Sequence, residues 1–153
     1  MRSARSIIFG ENRSTMELSY INWFAVIVAT LAAFALGALW YSVLFKDAWI
    51  RAVGLSEEEM KKGANMGVIF GTTLLLTFIM ALGLAMIWHT EDLSEVTWLV
   101  GLYHGLAIGL AFVATSTGIN YLYQRKSLTL WAIDAGYQVT FLALIGAILG
   151  AWH

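Results

Sequence analysis

Hydrophobic positions in this chain come in long blocks. Four runs carry no charge apart from one residue: Leu18–Phe45, Gly63–Trp88, Val96–Gln124 with His104 neutral, and Ser127–Trp152, which is interrupted by Asp134. Each reaches the roughly 20 residues that cross about 30 Å of hydrocarbon at about 1.5 Å per residue. Membrane strands would need about 10 residues of alternating polarity, and that alternation is absent. The pattern predicts an all-α membrane protein: a four-transmembrane-helix bundle, one domain over residues 18–153, after an N-terminal tail at 1–17. The apolar core of the tail, Ile7, Ile8 and Phe9, is too short for a secretory signal, which needs about 7–15 apolar residues. The tail is therefore read as disordered, and Met16 as an alternative start.

Aromatic residues stand at the ends of the runs, as expected where an apolar ring with a polar tip meets the interface. They are Tyr20, Trp23, Trp40, Tyr41, Trp88, Trp98, Tyr121, Tyr123, Trp131 and Trp152. The longest connection, KDAWIRAVGLSEEEMKK, spans Lys46–Lys62. Ser56 and Glu59 fit a capping box. Glu57–Glu59 followed by Lys61 and Lys62 suit a helix dipole. A short cytoplasmic amphipathic helix is expected between helices one and two. Trp49, Ile50 and Val53 would rest on the membrane surface; the plainer alternative is a solvated connector.

Composition agrees with the runs. The 153 residues are 59% hydrophobic and 12% charged, against about 25% charged in a soluble domain. A net charge of −1 points to no nucleic-acid partner; the partner expected is the lipid bilayer. The absence of cysteine removes disulfides, thiol nucleophiles and thiolate metal sites. Lys46, Arg51, Lys61, Lys62, Arg125 and Lys126 fall in loops one and three, whereas loop two carries Glu91, Asp92 and Glu95. Positive loops stay inside. The expected placement is the plasma (inner) membrane, with loops 46–62 and 124–127 cytoplasmic and both termini outside; Arg2, Arg5 and Arg13 pull the other way.

Small residues recur every four positions, hence on one helix face. They are Ala25, Ala29, Ala33 and Gly37 in the first run, and Gly63, Gly67 and Gly71 in the second. The third has Gly101, Gly105 and Gly109, and the fourth Ala143, Ala147 and Ala151 with Gly146 and Gly150 beside them. Small faces let helices approach closely in lipid. They predict a tight bundle, packed either internally alone or also as a homo-oligomer through a spare stripe. The first and third runs end alike, AF then LWYSVLFK and AF then INYLYQRK, as an old two-helix duplication would.

The candidate chemistry is one polar layer. Asp134 lies about one turn inside the fourth helix. Asn120 and Tyr121 lie at similar depth on the third, and Trp40, Tyr41 and Ser42 on the first. Asp134, Tyr137, Gln138 and Phe141 share a face, as do Gly109, Ser116, Thr117 and Asn120. If the faces meet, Asp134 finds amide and hydroxyl donors. A mid-membrane carboxylate costs about 3 kcal/mol on insertion scales, so it serves either as a lock between helices or as a proton- or cation-binding group. His104 is a secondary candidate at the opposite leaflet, too far from Asp134 for a His–Asp pair. Its spacing from His89 and His153 matches no metal signature. Motifs for a nucleophile elbow, a zinc protease or a phosphate loop are absent. No enzyme activity, catalytic residue, metal or cofactor is expected.

The stretches INWFAVIVATLAAFALGALWYSVLFKDAW, GLSEEEMKKG, FVATSTGINYLYQRKSLTLWAIDAGYQ and GAILGAW together resemble a family of small bacterial four-helix integral membrane proteins, the domain-of-unknown-function 1761 family. The resemblance extends over nearly all of Met16–His153. It implies a four-helix membrane protein with no assigned activity and supplies no site residues. Two functions remain open. The preferred one is a small-solute or ion transporter-like homo-oligomer built on Asp134. The other is a non-transporting scaffold or accessory subunit whose polar layer serves packing. The ligand is unknown.

Overall fold

The computed structural model describes residues 20–56, 58–59, 62, 65–88 and 96–152. The tail at 1–17, the alternative start, Lys61, Gly63, His89, the acidic loop residues Glu91, Asp92 and Glu95, and His153 lie outside these. Four helical spans are long and apolar enough to cross a membrane: Trp23–Leu44, Met66–Ile87, Trp98–Tyr123 and Leu128–Ala151. The first consists of α1 (Trp23–Leu39) and a π-helical turn, Trp40–Leu44. After it comes α2 (Lys46–Val53). The second span is α3 (Met66–Trp88). The third is α4 (Trp98–Ile108), a π-helical stretch Gly109–Ala114, and α5 (Thr115–Tyr123). The fourth is α6 (Leu128–Ala151).

The four spans start where a short polar side chain can satisfy an orphan backbone N–H. Asn22 accepts from Ala25, Asn65 from Val68, Thr97 from Val100 and Ser127 from Leu130. Within the spans, hydroxyls bond back one turn along the helix: Thr30 to Val26, Thr77 to Thr73 and Thr140 to Gly136. That removes donors from a medium that cannot solvate them.

α2 ends at Gly54, whose φ of 77° is cheap only without a Cβ. α2 thus lies ahead of the capping-box signal, and Glu58 and Glu59, which follow its Ser56, are helical as well. The box itself forms: the Ser56 N–H and hydroxyl donate to Glu59 Oε2 at 2.8 and 2.7 Å, and the Glu59 N–H donates to Ser56 Oγ at 3.2 Å. The third and fourth spans meet through a tight turn. Lys126 N–H donates to the Tyr121 carbonyl, Arg125 N–H donates to the Leu122 carbonyl, and Arg125 takes a φ of 56°. This is a Schellman end.

α6 is the centre of the bundle, with Leu130, Ile133, Phe141, Leu142, Ile145 and Leu149 buried along its length. It packs antiparallel to α4 along a glycine seam. A Cβ on Gly105 would fall on the Leu142 carbonyl, one on Gly146 on the Gly101 carbonyl, and one on Gly109 within 2.9 Å of Val139 Cα. These backbones touch, which only glycine permits. The first span lays Ala25, Ala29 and Ala33, all fully buried, into the core, with Gly37 under the Tyr137 hydroxyl.

The second span departs from the expected tight packing. Its later part is buried through Thr77, Ala81 and Leu84. At Gly71, however, nothing lies within 4 Å of a would-be Cβ, and at Gly67 only the nearby Asn65 does. Gly71 instead lines an open apolar groove with Ile27, Leu31, Leu74 and Phe78.

Candidate functional site

Asp134 is brought to the first and third spans by the antiparallel pairing of α6. At one end of the bundle, Asn22 Nδ2 donates to the Trp152 carbonyl at 2.8 Å. At the other, the Trp40 indole N–H donates to the Ile133 carbonyl at 3.2 Å. Between Trp40 and Asp134 the chain closes a polar layer.

Three donors from three segments meet on the carboxylate. The Tyr41 hydroxyl donates to Oδ1 at 2.9 Å, the Trp49 indole N–H donates to the same oxygen at 3.1 Å, and the Tyr121 hydroxyl donates to Oδ2 at 2.7 Å. Hydrogen bonds to charged groups contribute about 1.5–3 kcal/mol each. Together they exceed the cost of about 3 kcal/mol for a carboxylate at mid-membrane. Aromatic rings wall the layer. Tyr41 meets Trp49 edge-on at 5.5 Å and Tyr137 at 5.1 Å; Tyr137 stacks on Phe141 at 5.4 Å, and Trp40 covers Phe45 at 4.5 Å. The Trp40 ring also lies against Gly136, where a Cβ would sit 3.4 Å away.

Of the residues expected in the layer, Asp134, Tyr41 and Tyr121 form the hydrogen-bonded centre, and Trp40 and Tyr137 pack around it. Ser42 and Asn120 are exposed and give Asp134 no hydrogen bond. For Ser42 the reason is the step of roughly a quarter turn between successive residues of a helix, which turns it away from Tyr41. For Asn120 the reason is the π-helical stretch Gly109–Ala114. In an unbroken α-helix, Asn120 would follow Gly109 on one face after 11 residues, three turns at 3.6 each. A π-bulge adds a residue to a turn, so the face passes to Tyr121. Protein donors support that stretch: Thr115 Oγ1 donates to the Ala111 and Phe112 carbonyls, and Trp131 Nε1 donates to the Ala114 carbonyl.

Gln138 lies one turn beyond Asp134 on α6. Its Oε1 is buried with no hydrogen-bond partner, which is uncommon for a buried acceptor. His104 is exposed on α4. It is 17 residues before Tyr121, about 25 Å along the span at 1.5 Å per residue, and plays no part in the layer. Among the described residues, no three His, Asp or Glu side chains converge as metal ligands.

Trp49 was expected on the membrane surface. It is half-buried against the bundle instead, with its indole N–H on Asp134. The only sequence signal for this is the apolar face that Trp49 shares with Ile50 and Val53. Such a face fits a membrane surface and a protein surface equally. Tyr41 and Tyr121, which occupy matching places in the two similar run endings, approach the two oxygens of one carboxylate.

No curated protein and no solved structure matches the chain. A family model described as "protein of unknown function (DUF1761)" matches residues 24–150, from the first turn of α1 almost to the end of α6 and including the whole Asp134 layer; the chain belongs to that family.

Proposed function

We propose that this is a non-transporting, non-enzymatic membrane protein, a scaffold or accessory subunit, in which the Asp134 layer docks helices to one another. One observation carries this reading: the carboxylate is held by three donors from three different segments. A carboxylate that exchanged ions would have to surrender such bonds at every turnover. The apolar groove beside Gly71 contains none of the layer's residues. The basic residues Lys46, Arg51, Arg125 and Lys126 lie at the same end of the bundle as Asp134. Under the positive-inside rule that end faces the cytoplasm of the plasma membrane, with both termini outside.

The test is reversible unfolding of wild type and Asp134→Asn in detergent, with proton flux measured in proteoliposomes. Asparagine keeps the shape, and its Oδ1 still accepts from Tyr41 and Trp49, but its Nδ2 only donates, so the Tyr121 hydroxyl must turn from donor to acceptor; charge-assisted bonds, roughly twice as strong as neutral ones, give way to neutral bonds. A loss of about 3 kcal/mol is expected, about one per bond, with no flux above empty vesicles. A variant as stable as wild type, together with proton flux that depends on Asp134, would sink the proposal.

The unpartnered Gln138 Oε1 favours a second reading, a transporter-like homo-oligomer. A second acceptor one turn from Asp134 suits a bound proton or cation. The same flux assay separates the two, with Gln138→Leu abolishing flux only under the second.

A further inference from the structure

α2 is tied to the bundle in an unusual way. It follows the π-helical turn Trp40–Leu44 after Phe45, whose ψ of 12° breaks the helical path, and it ends at Gly54 in the left-handed region. Both ends are therefore points where the backbone already departs from helix. Its outer side carries Asp47 and Arg51, which are exposed; Trp49, Ile50 and Val53 on the other side are half-buried. Apart from the turn that precedes it, α2 packs on α6. A hydrogen bond joins them, from Trp49 Nε1 to Asp134 Oδ1 at 3.1 Å, the longest of the three on that carboxylate.

We propose that α2 is a latch over Asp134, closed when Trp49 sits on the carboxylate and open when the apolar face of α2 lies in the bilayer interface. An amphipathic helix is stable on a membrane surface by burying the same face, so the two positions compete for Trp49, Ile50 and Val53. Opening leaves Tyr41 and Tyr121 on Asp134, and the spans stay docked while Oδ1 becomes accessible from the loop side. Access to the carboxylate then changes without unfolding the bundle. The inference rests on the reading of Asp134 as a docking centre and adds the control of that centre.

The absence of cysteine allows clean site-directed spin labelling. Labels at Asp47→Cys and Leu128→Cys, both exposed positions, report the α2–α6 distance in liposomes. Trp49→Phe keeps the ring and removes the donor. One hydrogen bond to a charged acceptor shifts an equilibrium by about tenfold or more. The expected result is a narrow short distance in the labelled parent and, in Trp49→Phe, an open, longer-distance population raised about tenfold relative to the closed one, with the folding equilibrium weakened by no more than that tenfold and by less than in Asp134→Asn. An unchanged distance distribution in Trp49→Phe overturns the latch. So does a loss of stability or folding in Trp49→Phe equal to that of Asp134→Asn, since α2 would then belong to the bundle's lock. If Asp134→Asn is not destabilised but Trp49→Phe still lengthens the distance, the docking-centre reading fails and the latch stands.

Discussion

Replacing Gly105 with alanine tests the packing of the bundle at its closest point. The added Cβ would fall on the Leu142 carbonyl and lie 2.8 Å from Ala143 Cα, whereas carbon atoms pack at about 3.5–4.0 Å. Both obstacles are backbone, so no side-chain rotation relieves them, and the third and fourth spans must part by roughly 1 Å. A gap of that size forfeits a quarter to a half of each dispersion contact along the seam. Overpacking of this kind costs up to about 3 kcal/mol. Alanine returns about 1 kcal/mol of helix propensity over glycine, for a net loss of about 2 kcal/mol. Gly71→Ala is the matched control: nothing lies within 4 Å of its would-be Cβ, so it keeps the propensity gain of up to about 1 kcal/mol. Unfolding of both variants in mixed detergent micelles, followed by circular dichroism, should therefore separate them by about 3 kcal/mol. Equal stabilities would refute the backbone-to-backbone seam.

Two further outcomes follow from single contacts. Hydrogen bonds from the Ser56 hydroxyl and backbone N–H hold the Glu59 carboxyl below its ordinary value of 4.5. Because that pKa is depressed on folding, the box's contribution is fully present above pH 4.5 and is lost as the pH falls through the lowered value; a carbon-detected titration of Glu59 should show a midpoint below 4.5 that returns toward it in Ser56→Ala, and a midpoint at 4.5 in the parent would contradict the box. Trp131→Phe keeps a ring beside Gly118 but removes the 3.0 Å bond to the Ala114 carbonyl, so it should cost about 1 kcal/mol in the same micelle assay; no loss would mean that the bond does not support the π-helical stretch.

The four spans, their aromatic ends, the place of Asp134 on the fourth and the glycine face of the third were all legible along the chain. Length against bilayer thickness decides the spans, and residue size decides which faces can approach. Less was legible in the polar layer. Tyr41 and Tyr121 were among the candidates for their depth, but so were Ser42 and Asn120, because depth says nothing about direction. The usual guide to direction is an apolar stripe on an otherwise polar helix, and in lipid both the packed side and the outer side are apolar.

What the amino-acid sequence determines by itself is therefore a helical membrane protein with one carboxylate inside the apolar part of the fourth span. The hydrocarbon tolerates few residue types, and local hydrogen bonding allows little but helix there. Only the tertiary structure decides what that carboxylate meets. The π-helical stretch Gly109–Ala114 moves the inward face from Asn120 to Tyr121, and the turn after Tyr41 swings Trp49 of α2 onto the same carboxylate. Gly67 and Gly71, spaced like the seam glycines, have no other helix within 4 Å of a would-be Cβ. Each outcome depends on a shift of phase or a choice of neighbour, and these are set by the packing of whole helices and not by any residue's own preference.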